Sequence, residues 1–270
     1  MPKANKPLPL VKKYKFYEEA VQSHDNDIEF INKEFEKIVG EKPLTFREDF
    51  GGTAAMACDW VKQSPNHQAW GIDLDEEPQA FGVEYHYSQL NDEQKGRMQY
   101  IKGNVLDNYE FKTDVIAAFN FSYFIFKQRK QVLEYFKKVR EGLNDNGLFF
   151  MDIFGGTECY DVLEEETEYD DFNYFWDCDD YNPITNEVLY YIHFKDKQDG
   201  LKYERVFTYD WRQWSIQEIR ELLEEAGFSK STLYWEEDDD DDEGEGNGVF
   251  YPSEEEENCE SWVCYIVAQK

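Results

Sequence analysis

Leu44-Thr45-Phe46-Arg47-Glu48-Asp49-Phe50-Gly51-Gly52-Thr53-Ala54 decides how the 270-residue chain is read. It presents a strand (Leu44 to Asp49) running into a turn of small residues (Gly51 to Ala54). A helix (Ala55 to Lys62) and a second strand ending on an acid (Ala69-Trp70-Gly71-Ile72-Asp73) follow. A glycine turn between strand and helix lets a ligand approach main chain that side chains would otherwise shield. An acid closing the next strand accepts hydrogen bonds from a ribose diol. The spacing predicts a nucleoside-binding βαβ unit. Against Gly-x-Gly-x-x-Gly, no register places glycine at all three positions, so the strict dinucleotide fingerprint fails.

The same residues resemble motif I of the class I S-adenosylmethionine-dependent methyltransferases, acid-x-Gly-x-Gly-Thr-Gly. Glu48 is the acid and Gly52-Thr53 the central pair, while Phe50 and Ala54 stand where the first and third glycines are usual. Met98 to Asp107 reads as a third strand and polar turn, similar to the family's adenine-binding segment, with Asn104 in place of the first acid. An Asn oxygen still accepts from an adenine amino group. Asp114 to Phe121 is apolar enough for a strand buried on both faces. It ends in Asn120-Phe121-Ser122-Tyr123, similar to the family's motif IV beside the methyl donor. Gln128 to Leu143 carries Val132, Leu133, Phe136, Val139 and Leu143 at helical spacing, and Asn144-Asp145-Asn146-Gly147 is expected to stop that helix before a strand at Leu148 to Phe154.

The resemblance implies an α/β fold: a Rossmann-like, seven-stranded sheet, mostly parallel, closed by an antiparallel hairpin. One domain is expected over 1–270, with a helical cover (1–43), core βα units (44–154), a β-rich cap (160–214) and a closing helix and hairpin (215–270). Tyr14 to Val39 reads as one or two amphipathic helices broken near Ser23-His24-Asp25-Asn26. In the cap, Asn173 to Asp177, Glu187 to Lys195 and Leu201 to Tyr209 read as strands, with a hairpin turn at Lys197-Gln198-Asp199-Gly200. Ser215 to Glu218 resembles a capping box opening a helix that ends at Gly227. Phe228 to Trp235 and Ser261 to Ala268 read as the closing strands, and the acids between them, Glu236 to Glu243 and Glu254 to Glu257, as a solvated loop within 236–257. No register of that run supplies the glycine and glutamate of a calcium loop.

Composition suits one sizeable core, with 41% apolar and 17% aromatic residues. No segment approaches the roughly 18 consecutive apolar residues that span a bilayer, and the basic N-terminus lacks an apolar stretch, so a cytoplasmic location is expected. Five cysteines without a Cys-x-x-Cys pair argue against disulfides or zinc. A net charge of −31 disfavours nucleic acid as partner.

S-adenosylmethionine is the cofactor that the resemblance implies, with no metal. Asp73 is placed on the ribose with Leu74 beside it, Asn104 and Val105 at the adenine, Gly51, Gly52 and Thr53 in the turn, and Asn120 and Phe121 beside the donor. Tyr17 and Gln22 of the cover are candidates to line its pocket. Glu48 and the turn hold the methionine ammonium, and Arg47 pairs either with the methionine carboxylate or with Glu48 or Asp49. Asn120, Tyr123 and Asp152 lie at or near strand ends where open α/β sheets bind ligands, although Asp152, within its strand, can point away. Of the four histidines, only His193 is a candidate base. The aromatics at Tyr174-Phe175-Trp176 and Trp211 to Trp214 suit either a cation-binding cage or core packing. The expected acceptor is a small molecule, an amine first, then a carboxylate or hydroxyl; a protein side chain is the remaining acceptor. A nicotinamide-dependent oxidoreductase and a catalytically silent nucleoside-binding protein are the alternatives.

Overall fold

The structure, a computed structural model, describes residues 2–239 and 242–270. After Pro9, α1 (Leu10–Val21) and α2 (His24–Val39) are separated where Gln22 turns to extended backbone, and α2 stops at Gly40 with φ 86°. The core follows as β1 (Thr45–Asp49), α3 (Ala55–Gln63), β2 (Gln68–Asp73), α4 (Glu76–Tyr85), α5 (Asp92–Lys95), β3 (Met98–Lys102), β4 (Thr113–Ala118), α6 (Arg129–Gly142) and β5 (Leu143–Gly155). Four cap strands come next: β6 (Glu164–Glu168), β7 (Phe172–Asn182), β8 (Glu187–Asp196) and β9 (Lys202–Arg212). The chain then closes with α7 (Ile216–Ala226), β10 (Lys230–Asp239), β11 (Asp242–Pro252) and β12 (Trp262–Gln269).

The central sheet runs β11-β10-β12-β5-β4-β1-β2-β3. Its β3-β2-β1-β4-β5 part is parallel, and β12 enters antiparallel between β5 and β10. Strand order reverses between β1 and β4, so the crevice where such sheets take ligands opens at the carboxyl ends of those two strands. Both faces of the sheet are apolar because helices cover both. Ile116, Phe149, Met151 and Ile266 pack with α6 and α7 on one side, and Phe46, Val115, Phe150 and Val267 with α2 and α3 on the other. The cap is a separate antiparallel sheet, β6-β7-β8-β9, reached from β5 and left through α7. The capping box of Ser215 and Glu218 and the left-handed Gly227, φ 98°, bound α7 as expected.

Three expectations change. The sheet has eight strands rather than seven, because most of the acidic run expected as a solvated loop is paired in β10 and β11, with Trp235 opposite Tyr251 and Asp238 opposite Gly246. Ladder pairing uses main chain and so tolerates acids at the tip of a hairpin whose base is aromatic. Asp240 and Asp241 of that run lie outside the described residues. Asn144 to Gly147 lies inside β5, where the register jumps from Thr113 opposite Leu143 to Val115 opposite Leu148. The cap also has a strand, β6, that its composition of glutamates concealed.

Candidate active site

The glycine turn leaves β1 through left-handed backbone. Phe50 and Ala54, the two positions where glycine was expected, have φ 55° and 51°, and Gly52 has φ 52°. Gly51 N–H donates to Ile72 O at 2.9 Å, and Gly52 N–H donates to Asp73 Oδ2 at 2.7 Å. The other oxygen of Asp73 accepts from Asp75 N–H at 2.8 Å. A carboxylate's two oxygens offer about four acceptor sites, so beside these donors and the Leu74 main chain Asp73 retains room for a ribose hydroxyl. Burial pushes its carboxyl above the usual range. Leu74, the next residue, is 63% exposed, an apolar side chain at the strand end without a cover. Just past the end of the neighbouring β3, Asn104 Oδ1 accepts from Leu106 N–H at 3.0 Å, while Val105 is buried.

Arg47 points to the other face of β1. Its Nε donates to Asp49 Oδ1 at 2.6 Å and its Nη2 to Oδ2 at 3.0 Å, with Tyr135 Oη donating to the same carboxylate at 2.9 Å. Of the two roles open to it, the pairing with Asp49 is the one present. Glu48 accepts from Ala57 N–H at 2.9 Å and so caps α3, whose own N-cap, Ala54, has no side-chain acceptor. Burial raises the Glu48 carboxyl to about 8.

α1 lies over this turn. Glu18 accepts from Thr53 Oγ1 at 2.7 Å and pairs with His86 Nε2 at 2.7 Å, tying the cover to the turn and to the end of α4. One residue earlier, Tyr17 faces a cavity of about 260 Å³. Asn120 and Phe121 at the end of β4 form its floor, and Tyr174, Trp176, Tyr209 and Trp211 of the cap form its wall. Burial raises the Tyr17 hydroxyl to about 12 and Tyr209 well above its ordinary value, so both phenols stay protonated as donors rather than bases. Gln22 does not line the cavity; it ends α1, with Oε1 buried and unbonded.

The three residues proposed from sequence for the acceptor side separate. Asn120 lines the cavity. Asp152 lies beneath it, accepting from the N–H groups of Asn120 at 2.7 Å and Phe121 at 2.8 Å, and thereby holding both at φ 57° and 56°. Burial lifts its carboxyl to about 8 although these two donors pull it down. Tyr123 is fully buried, with its hydroxyl donating to Asp152 O at 2.9 Å. His193 is also remote from the cavity. Its Nδ1 accepts from Arg205 N–H at 2.7 Å and its Nε2 faces Asp177 at 3.0 Å, so the ring proton sits on Nε2 and no lone pair is free for a substrate. The same tautomer argues against metal binding by Glu164, Asp177 and His193, which lie within 4.8 Å of one another, since Lys202 already occupies Glu164.

Sequence reasoning missed Glu18, Phe154, Glu165 and Thr167. The signal for the last two is faint: Glu164 to Glu168 reads as a charge run, and only its pairing with β7 puts Glu165 and Thr167 on the face that borders the cavity.

None of the known family models matches the chain, and no curated protein does. Solved structures do. An S-adenosylmethionine-dependent methyltransferase from Clostridium acetobutylicum superposes with a TM-score of 0.71 at 15% identity, over 96% of this chain and 98% of that one. DesVI of Streptomyces venezuelae gives 0.66 at 13% identity, over 97% and 99%. An amino pentose methyltransferase from Micromonospora echinaspora, solved with S-adenosylmethionine bound, gives 0.65 at 10% identity, over 98% of each chain.

Proposed function

We propose that this chain, which has the fold of the class I S-adenosylmethionine-dependent methyltransferases, is such an enzyme and methylates a small amine. The observation that carries the reading is the crevice between β1 and β4. A glycine turn, an acid at the end of β2 and an exposed Leu74 stand on one side of it, and an aromatic-walled cavity opens on the other. A nucleoside fits the first side: Asp73 for the ribose, the Gly51 to Thr53 main chain for the methionine part, Leu74 and Asn104 for the base. When bound, the donor supplies a sulfonium methyl, whose carbon–sulfur bond breaks with its electron pair to sulfur as the acceptor nitrogen forms the new bond.

The chain's own residues orient and enclose. Asp152 fixes the main chain of Asn120 and Phe121, and so the floor against which the acceptor rests. Tyr17, Trp176 and Trp211 line the space an acceptor would fill, so that a seated acceptor displaces water from beside them. Alignment and water exclusion are most of what a charged methyl donor requires. Among the described residues no Lys, Arg or His lines the cavity, which leaves a carboxylate acceptor without a counter-charge there and favours an amine over it. At about 260 Å³ the space suits a small acceptor, being under the range of about 300–1,000 Å³ that holds drug-sized ligands. The antiparallel β12 between β5 and β10 is not needed to bind a nicotinamide dinucleotide, which weighs against the oxidoreductase alternative.

Calorimetry with S-adenosylmethionine, S-adenosylhomocysteine and NAD tests the donor, with the first two expected to bind and NAD not. Asp73→Ala should weaken both by about 1.5–3 kcal/mol for each charge-assisted bond lost; unchanged affinity in a folded variant would reject the placement. S-adenosylhomocysteine release over a panel of amines then separates an enzyme from a silent binding protein.

A further inference from the structure

Along β6 the side chains alternate between the two faces of the cap sheet. Those facing out are each held: Glu164 by Lys202 Nζ at 2.7 Å on both oxygens, Glu166 by Asn173 Nδ2 at 2.7 Å, and Glu168 by Lys197 Nζ at 2.7 Å. Those on the other face, Glu165 and Thr167, line the cavity while staying open to solvent, and among the described residues Glu165 is the one charged residue in its wall. Burial and the neighbouring Glu158 raise the Glu165 carboxyl, and no basic side chain draws it back. In a strand where Glu164 and Glu168 are each paired with a lysine and Glu166 is held by an amide, this one lines an aromatic cavity with no cation beside it among the described residues.

The ladder sets its company. Glu165 is directly opposite Trp176, and Thr167 opposite Tyr174. Directly opposed side chains start about 5 Å apart at Cβ, so the carboxylate flanks the indole. Trp176 continues into an aromatic wall, stacked on Tyr190 at 4.6 Å and within 5.8 Å of Tyr209 and 6.4 Å of Trp211. A carboxylate beside several π faces, with no competing cation, attracts an ammonium through both charge and ring quadrupole.

We propose that Glu165, with the face of Trp176, selects the acceptor by binding its ammonium group, which gives up its proton to solvent before the neutral nitrogen attacks the methyl, and that β6 is thereby the specificity element of the enzyme. The inference rests on the methyltransferase reading and adds the ligand class: a small monocation whose uncharged body lies against Tyr174 and Trp211. Glu165 positions and discriminates; it leaves the donor side untouched.

Benzyltrimethylammonium, with a fixed charge and no proton to lose, is titrated into protein saturated with S-adenosylhomocysteine and followed by tryptophan fluorescence. Benzyl alcohol and benzoate are the uncharged and anionic comparisons. Wild type should bind the cation in preference to both. Glu165→Gln should weaken the cation by about tenfold and leave benzyl alcohol unchanged, and Trp176→Leu should weaken the cation as well. Circular dichroism and S-adenosylhomocysteine affinity should match wild type in the Gln variant. With S-adenosylhomocysteine bound, failure of the cation to saturate, equal affinity in Glu165→Gln, or tighter binding of benzoate overturns this proposal alone. Failure to bind S-adenosylhomocysteine overturns the methyltransferase reading instead.

Discussion

Ala54 has its main chain at φ 51° and its Cβ against Gly71 of β2, where an added Cβ would come within 2.5 Å of it. Turn and strand are therefore fitted to one another, and the third glycine of the usual motif has been exchanged for a methyl that fills the space over Gly71. Gly71→Ala should cost about 1–3 kcal/mol by overpacking. Ala54→Gly alone should be nearly neutral, since relief of left-handed strain offsets glycine's backbone entropy, each about 1 kcal/mol. The double variant should recover most of the loss in denaturant unfolding; equal instability of single and double variants would show that the contact is not the cause. Glu48 makes a second residue-scale prediction. Its folded value of about 8 stands above its ordinary 4.5, so the folded state binds the extra proton. That contribution is complete below about pH 4.5 and is lost as pH rises toward 8. Glu48→Gln, which still accepts from Ala57, should therefore lose less stability than wild type between pH 5 and pH 8. Parallel slopes would mean the carboxyl is already ionised at pH 5. These roles show the limit of a motif read from sequence: the spacing located Glu48, Arg47 and Asp152 and offered Asp49 among the partners of Arg47, but the partners of the other two, the main chain of Ala57 and of Asn120, come from other elements.

The β10–β11 hairpin concentrates the acidic run at the edge of the sheet, beyond an aromatic base. Excising residues 238–245 leaves Trp235 opposite Tyr251 and Glu236 opposite Phe250 in place, and removes charges that repel one another. The thermal midpoint should stay the same or rise, and its dependence on salt should weaken. A marked loss of stability at moderate salt would mean that the run holds a cation in the folded state. Elements with an apolar face or a motif beside them were legible from sequence: α2, α6 and α7, the strands β1 to β4, and the two strands that close the sheet, though not the order that brings β12 between β5 and β10. What escaped were strands whose side chains give no such pattern. β6 is nearly all glutamate and β11 is rich in acid and glycine, so main-chain pairing with β7 and β10 defines them. For the same reason the cavity was only half visible. Its aromatic wall could be suspected from Tyr174, Trp176 and Trp211, whereas its one carboxylate, on β6, could not.

At the scale of the whole molecule, 59 acids against 28 bases give a net charge of −31, and the field of that charge acts on every ligand approaching the cavity. Its reach is about 30 Å at 0.01 M salt and about 8 Å at 0.15 M, so a small cation is drawn in over a longer distance at low ionic strength. For a cationic acceptor, kcat/KM at saturating donor should fall several-fold between those two salt concentrations, while a matched alcohol, if turned over, should not change. Stability should move the opposite way, because the same salt screens the self-repulsion of the folded chain. That opposition separates screening of the acceptor from any general effect of salt on folding. The rate with an amine should also rise with pH as the acceptor loses its proton, and level off once the bound amine is neutral. Saturating donor matters here, since the donor is itself a cation and its binding responds to salt. An acceptor whose turnover is flat in both salt and pH, with the chemical step rate-limiting, would be neither a cation nor an amine, and the amine assignment would fail while the donor site stood.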